Sequence, residues 1–101
     1  MKFLFTYRTP TDYKPGNPDA ITSWNEWFAG IGANLDDRGN PIFEASPVGN
    51  CGTWTKLGGY SLVTADDLET ALSLTKGCPI LADGGGVVVG VITEIYDGGA
   101  E

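Results

Sequence analysis

Apolar and polar positions alternate strictly at the start of the chain. Over residues 1–8 Phe3, Phe5 and Tyr7 point one way and Leu4 and Thr6 the other, the period-two pattern of a strand. From Thr9 to Pro18 the prolines and Gly16 rule out regular structure. Asn17 is then placed as a helix cap, with Pro18 at the first helical position, where its missing amide costs nothing. Ala20, Trp24, Trp27, Phe28, Ile31 and Leu35 recur at helical spacing, with Thr22, Asn25 and Glu26 opposite, so the pattern predicts a first helix over residues 17–35. Gly30 and Gly32 each cost that helix about 1 kcal/mol relative to alanine and read as points of close packing. Asp36 to Pro41 is a turn in which Gly39 suits a left-handed position. Ile42 to Ser46 reads as a second strand, and Pro47 to Lys56 as a glycine-punctuated loop carrying Asn50, Cys51 and Trp54.

Residues 57–81 form one strand–helix unit. Tyr60 to Val63 has strand composition and follows the turn pair Gly58-Gly59. Thr64 and Asp67 are spaced as a capping box, with Asp66 and Glu69 near the positive end of the helix dipole. Ala65, Leu68, Ala71, Leu72 and Thr75 share the expected buried face. Lys76 complements the far end, Gly77 closes the helix and Pro79 stops it. A last strand over residues 86–96 puts Val87, Val89, Val91 and Ile95 on one face and Val88, Gly90, Ile92 and Tyr96 on the other. Asp97 to Glu101 reads as a frayed tail.

The order β-α-β-β-α-β is that of a ferredoxin-like α+β sandwich. Two helices can cover only one sheet face, yet the outer strands are apolar on both. A homodimer joined through the other sheet face is the expected remedy, since a lone chain would leave more apolar surface in water than soluble monomers normally show.

At 101 residues the chain reads as a single domain. Six basic against thirteen acidic residues give a net charge of -7, and the cations are scattered singly. That argues against nucleic acid and anionic membranes as partners. MKFLFTY is too short for a signal peptide and no stretch matches a membrane span, so a cytoplasmic location is expected. Cys51 and Cys78 read as free thiols, and with no histidine to join them no metal site is expected. No cofactor is expected either. The absence of histidine also excludes Ser-His-Asp and Cys-His catalysis.

The run GGYSLVTADDLETALSLTKGCPIL, followed by GGGVVVGVI, resembles the C-terminal half of the YCII-related family. Trp24, Trp27 and Phe28, followed by Asp37-x-Gly39-Asn40-Pro41, are similar to one branch of the same family. The resemblance implies a ferredoxin-like fold assembled as a dimeric α+β barrel, in a family mostly without assigned reactions. It also implies, for some members, a His-Asp pair in a cleft between sheet and first helix, with chemistry resembling dehydrochlorination or isomerisation of aromatic-derived substrates. This chain departs there: Ile21, Thr22, Ser23 and Trp24 occupy that part of its first helix. Other members are domains associated with transcription regulators.

Among the remaining groups, Asp36 and Asp37 are the carboxylates placed to act as a base, Asp37 being the catalytic candidate. The simpler reading is a turn aspartate bonded to its own backbone. Asp83-Gly84-Gly85-Gly86 lacks the lysine and the following helix of a phosphate loop. Cys51 has no histidine to activate it, only Lys56 being close in sequence, and Cys78 reads as a small buried hydrophobe. Aromatic rings with polar tips make a common ligand-site composition, so a small-molecule site is expected in the helix–sheet cleft, framed by Tyr7, Ser23, Trp24, Trp27, Ser46 and Tyr60. Three functions follow: a homodimeric small-molecule-binding protein without the His-Asp pair, a lyase or isomerase with a carboxylate base, or a structural interaction module linked to transcription regulation.

Overall fold

The alternation at the start of the chain becomes the centre of the sheet. In a computed structural model, which describes residues 1–14 and 17–95, β1 (Lys2–Pro10) lies between β3 (Thr55–Thr64) and β4 (Gly86–Ile92). The four-stranded order is β2-β3-β1-β4, antiparallel throughout. Phe3, Phe5, Tyr7 and Thr9 all bury toward the helices, as period-two geometry requires. Between β1 and β3 the register shifts at Tyr7/Arg8, where Gly58 is the extra residue of a bulge.

The first helix, α1 (Pro18–Gly30), starts where expected: the Asn17 side chain accepts from the Asp19 amide at 2.8 Å. It ends sooner than expected. After Gly30 the chain turns, and Leu35–Asp37 forms β2, with Leu35 opposite Val63. Gly30 and Gly32 together weaken the helix by about 2 kcal/mol, and Leu35 finds its apolar contact at the sheet edge instead. Ile42 to Ser46 is correspondingly not a strand. Attachment there amounts to a bridge between Pro41 and Gly59 and one bond from the Ile42 amide to the Gly58 carbonyl. Pro41 has no amide to extend the ladder, and Glu44-Ala45-Ser46 has little strand preference.

The cap of α2 (Leu68–Leu74) is Asp67, which accepts from the Thr70 amide at 2.7 Å. Thr64 stays in β3 and donates its hydroxyl to the Asp36 carboxylate. Starting three residues late, α2 buries Ala71 and leaves Leu68 and Leu72 41% and 49% exposed, so those leucines do not form its inner face. Pro79, expected to end structure, opens a short helix, α3 (Pro79–Ala82), whose Ile80 is fully buried. Proline is tolerated in a first turn for the same reason as Pro18. The last strand stops at Ile92. Ile95 is exposed beyond it, and Tyr96, the tail Asp97–Glu101, Pro15 and Gly16 lie outside the described residues.

Phe3, Phe5, Val63, Ala71, Cys78 and Ile80 form the core, with Trp27 and Ile31 from the first helix and its exit. The opposite sheet face carries half-buried Leu4 and Leu62 and the exposed Val88 and Ile92. Both cysteines are free. Among the described residues no helix is long and apolar enough to cross a membrane.

Candidate functional site

A cavity of about 300 Å³ opens at the seam between α1 and the sheet. Tyr7 and Thr9 come from β1, Trp24 and Phe28 from α1, and Gly58, Gly59 and Tyr60 from β3. The turn Arg38–Phe43 closes one side, Ile80 another, and Tyr13, Ala20, Ile21 and Lys56 complete the lining. The turn can approach because β3 is glycine there. A side-chain carbon on Gly59 would come within 3.2 Å of the Asn40 carbonyl, and one on Gly39, at φ 73°, would strike the Tyr60 carbonyl.

The aromatic wall is a set of ring contacts, edge-on between Tyr7 and Trp24 and tilted between Trp24 and Phe28. Tyr7 meets Trp24 with ring centroids 4.9 Å apart and nearly perpendicular, and Trp24 meets Phe28 at 5.7 Å. This is a favoured geometry for interacting rings. The Arg38 guanidinium lies over the Phe28 ring at 4.6 Å and donates to the Asn25 side chain.

Behind the wall the Tyr7 hydroxyl donates to Ser61 Oγ at 2.7 Å, and Ser61 donates to the Arg38 carbonyl. Ser61 is fully buried, so this relay satisfies both hydroxyls and ties the turn to the sheet. Burial pushes the Tyr7 phenol well above its ordinary value; the Ser61 bond opposes that and nearby Cys78 adds to it. Thr9 differs. It is 5% exposed, and its Oγ1 is the one buried side-chain polar atom without a hydrogen-bond partner among the described residues.

Of the six framing residues expected, Tyr7, Trp24 and Tyr60 reach this cavity. Trp27 packs behind it, its indole N–H donating to the Leu74 carbonyl at 3.1 Å. Ser23 is exposed at an open groove on the other side of α1, and Ser46 is exposed and lines neither space. Asp37 lies outside the lining and accepts from the Gly39 amide at 2.8 Å, the self-bonded turn of the simpler reading. Thr9, Tyr13, Arg38 and Lys56 were not anticipated. For Thr9 a signal existed, since it continues the Phe3-Phe5-Tyr7 alternation. Nothing local marks the two cations. Among the described residues no group of three or more potential metal ligands converges.

The fold defines a class. A small antiparallel α+β sheet in this order, with its helices on one face, is compatible with ferredoxin-like architecture and with the fold of dimeric α+β barrels. Among solved structures the chain is similar to 5-chloro-2-hydroxyhydroquinone dehydrochlorinase (TftG) from Burkholderia phenoliruptrix AC1100, in complex with 2,5-dihydroxybenzoquinone. The two share 19% identity at a TM-score of 0.60, over 92% of this chain and 94% of that one, which shows a common fold. No family model matches the chain, and no curated protein matches it in sequence.

Proposed function

We propose that this chain is a small-molecule-binding protein that takes a flat ring into the seam between α1 and the sheet, working as a homodimer joined through the open sheet face. The carrying observation is the cavity itself: about 300 Å³, walled by Tyr7, Trp24 and Phe28, with Arg38 and Lys56 in its lining. That volume lies at the lower end of the range for small-ligand pockets, about 300–1,000 Å³. Aromatic walls with few polar groups favour a planar apolar body with one or two oriented substituents. That a protein of the same fold was solved with a small quinone supports the size and shape of the ligand.

A lyase or isomerase of the dehydrochlorinase kind is the second reading, and the structural neighbour favours it. Its carboxylate base has no counterpart in the lining, which among the described residues holds neither Asp nor Glu. Tyr7 keeps its proton and suits donation, not abstraction. An interaction module needs no cavity of this kind, so the reading as a binding protein is preferred.

Titration with planar arenes, followed by Trp fluorescence and thermal shift, tests the proposal. A saturable quench and a raised melting temperature are expected, both weakened about tenfold or more in Trp24→Ala, since a stacked ring contributes about 0.5–1.5 kcal/mol beyond its buried area. Unchanged binding in that variant would overturn the placement. Sedimentation at micromolar concentration should give twice the chain mass, and a clean monomer would remove the dimer.

A further inference from the structure

Resting on the reading of the seam as a small-molecule site, we infer that its ligand is an aromatic anion, whose charged group is received by Arg38 and Lys56. The distribution of charge motivates this. The chain carries thirteen acids and six bases, yet among the described residues the lining holds two of the bases and none of the acids. An indifferent surface of this protein would show the opposite sign.

Neither cation is used up by the fold. Arg38 donates to the Asn25 amide oxygen while its plane covers Phe28, which leaves most of its five donors free in a fixed orientation. Lys56 makes one long contact, 3.5 Å, to the Tyr13 carbonyl, with two further donors available. Thr9 stands directly across the β1–β3 ladder from Lys56, so both project to the cavity side of the sheet. Its own Oγ1 is buried and sealed from the cavity, so on this side of the sheet the ammonium of Lys56 is the donor within a ligand's reach.

Two cations on a largely aromatic wall without acids describe a site for one negative charge on a flat apolar body. A ring carrying only neutral groups would fill the same space without engaging the cations, whose hydrogen bonds to charged partners are the strong ones. The overall negative charge then acts at long range against anions and is screened by salt, whereas contacts to the half-buried Lys56 are screened less.

The test uses matched pairs of equal shape: benzoate with benzamide, and 2-naphthoate with 2-naphthamide, titrated by calorimetry into the full chain. Each acid is expected to bind about tenfold or more tightly than its amide, the value of a charge-assisted bond. Lys56→Met and Arg38→Met should each shrink that preference while leaving amide affinity within about threefold, because the apolar stems remain. Amides binding as well as acids would overturn the anion inference and leave the cavity reading standing. Binding of neither series would overturn both. If Arg38→Met melts far below the wild type, the Lys56→Met arm decides alone.

Discussion

The two halves of β1 show the same face to the helices and come to opposite ends. Phe3 and Phe5 are wholly buried in solid core, with Val63 and Val91 beside the first and Ser61 and Val89 beside the second. Two positions further on, Tyr7 has Gly59 and Val87 as neighbours, and Thr9 has Lys56 across the bulge left by Gly58. Alternation decides which side chains point inward. It does not decide whether the space they enter is filled, which depends on the bulk of the cross-strand partners. Where β3 carries Val63 the gap closes. Where it carries Gly58 and Gly59 the backbone is bare, the Arg38–Phe43 turn settles onto it, and the volume between turn, strand and α1 stays open.

Truncation at the solid end of β1 carries the largest expected loss. Phe5→Ala should lose about 3–5 kcal/mol, the usual result for a phenylalanine whose cavity cannot collapse. Urea denaturation measures it, and a loss under about 1 kcal/mol would mean that the solid end is not solid.

Filling the open end comes next in size. A side-chain carbon on Gly58 would sit 2.5 Å from Thr9 Cγ2. Gly58→Ala should therefore lose about 1–3 kcal/mol as an overpacking change, and arene binding should fall with it as Thr9 is displaced. Thermal melts and the same arene titration read both effects. Full stability together with full binding would show that the bulge does not shape the cavity.

A pair of hydroxyl deletions has opposite expected signs, the larger of them no greater than the glycine effect. Ser61→Ala removes the acceptor of Tyr7 and the donor to Arg38, leaving buried partners unmet, and should lose about 1–3 kcal/mol. Thr9→Val removes a buried hydroxyl that has no partner among the described residues and should be neutral or stabilising by up to about 1 kcal/mol. Equal losses in the two variants would erase the difference between the relay and the orphan.

How much of this was legible in the sequence follows the same division. The alternation of β1, the Asn17-Pro18 start of α1 and the order of elements were readable because each rests on local chemistry. Leu35 fitted both the helical face and a sheet edge, and the two glycines before it were read as packing points when they are where the helix ends. Thr64 and Asp67 both carry capping oxygens, and only the length of β3 decides between them. In the site, Tyr7 and Trp24 were readable as aromatic inward positions. Ser46 was placed by a strand that does not form, and Ser23 by a helical face one step too wide. Arg38 and Lys56 could not be found this way: they lie eighteen positions apart and meet one cavity only because a turn folds back onto β3.

The last effect vanishes at neutral pH and asks whether the open end is as dry as the core. Burial pushes the Cys78 thiol from 9.0 up to about 11, with the backbone bond at Ile80 opposing it, and it pushes the Tyr7 phenol up from 10.0 in the same way. Both groups are acids that are neutral when protonated, and folding holds their protons longer than the unfolded chain does. Near neutral pH neither folded nor unfolded chain has ionised them, so their contribution is constant. Above that the unfolded chain releases first the thiol proton and then the phenol proton while the folded chain retains both. Rising pH then favours unfolding, and stability falls through the window that starts at 9.0 for Cys78 and 10.0 for Tyr7. Melting temperatures taken from pH 7 to 11 should be flat and then decline. Cys78→Ala should delay the onset of the decline, and Tyr7→Phe should flatten its later part. If water in the cavity reached the Tyr7 hydroxyl, the phenol would ionise near its ordinary value in the folded chain too, and Tyr7→Phe would decline in parallel with the wild type. That outcome would make the Tyr7 end of β1 a wet cleft instead of an apolar pocket, and the aromatic wall would lose its claim to hold a ring.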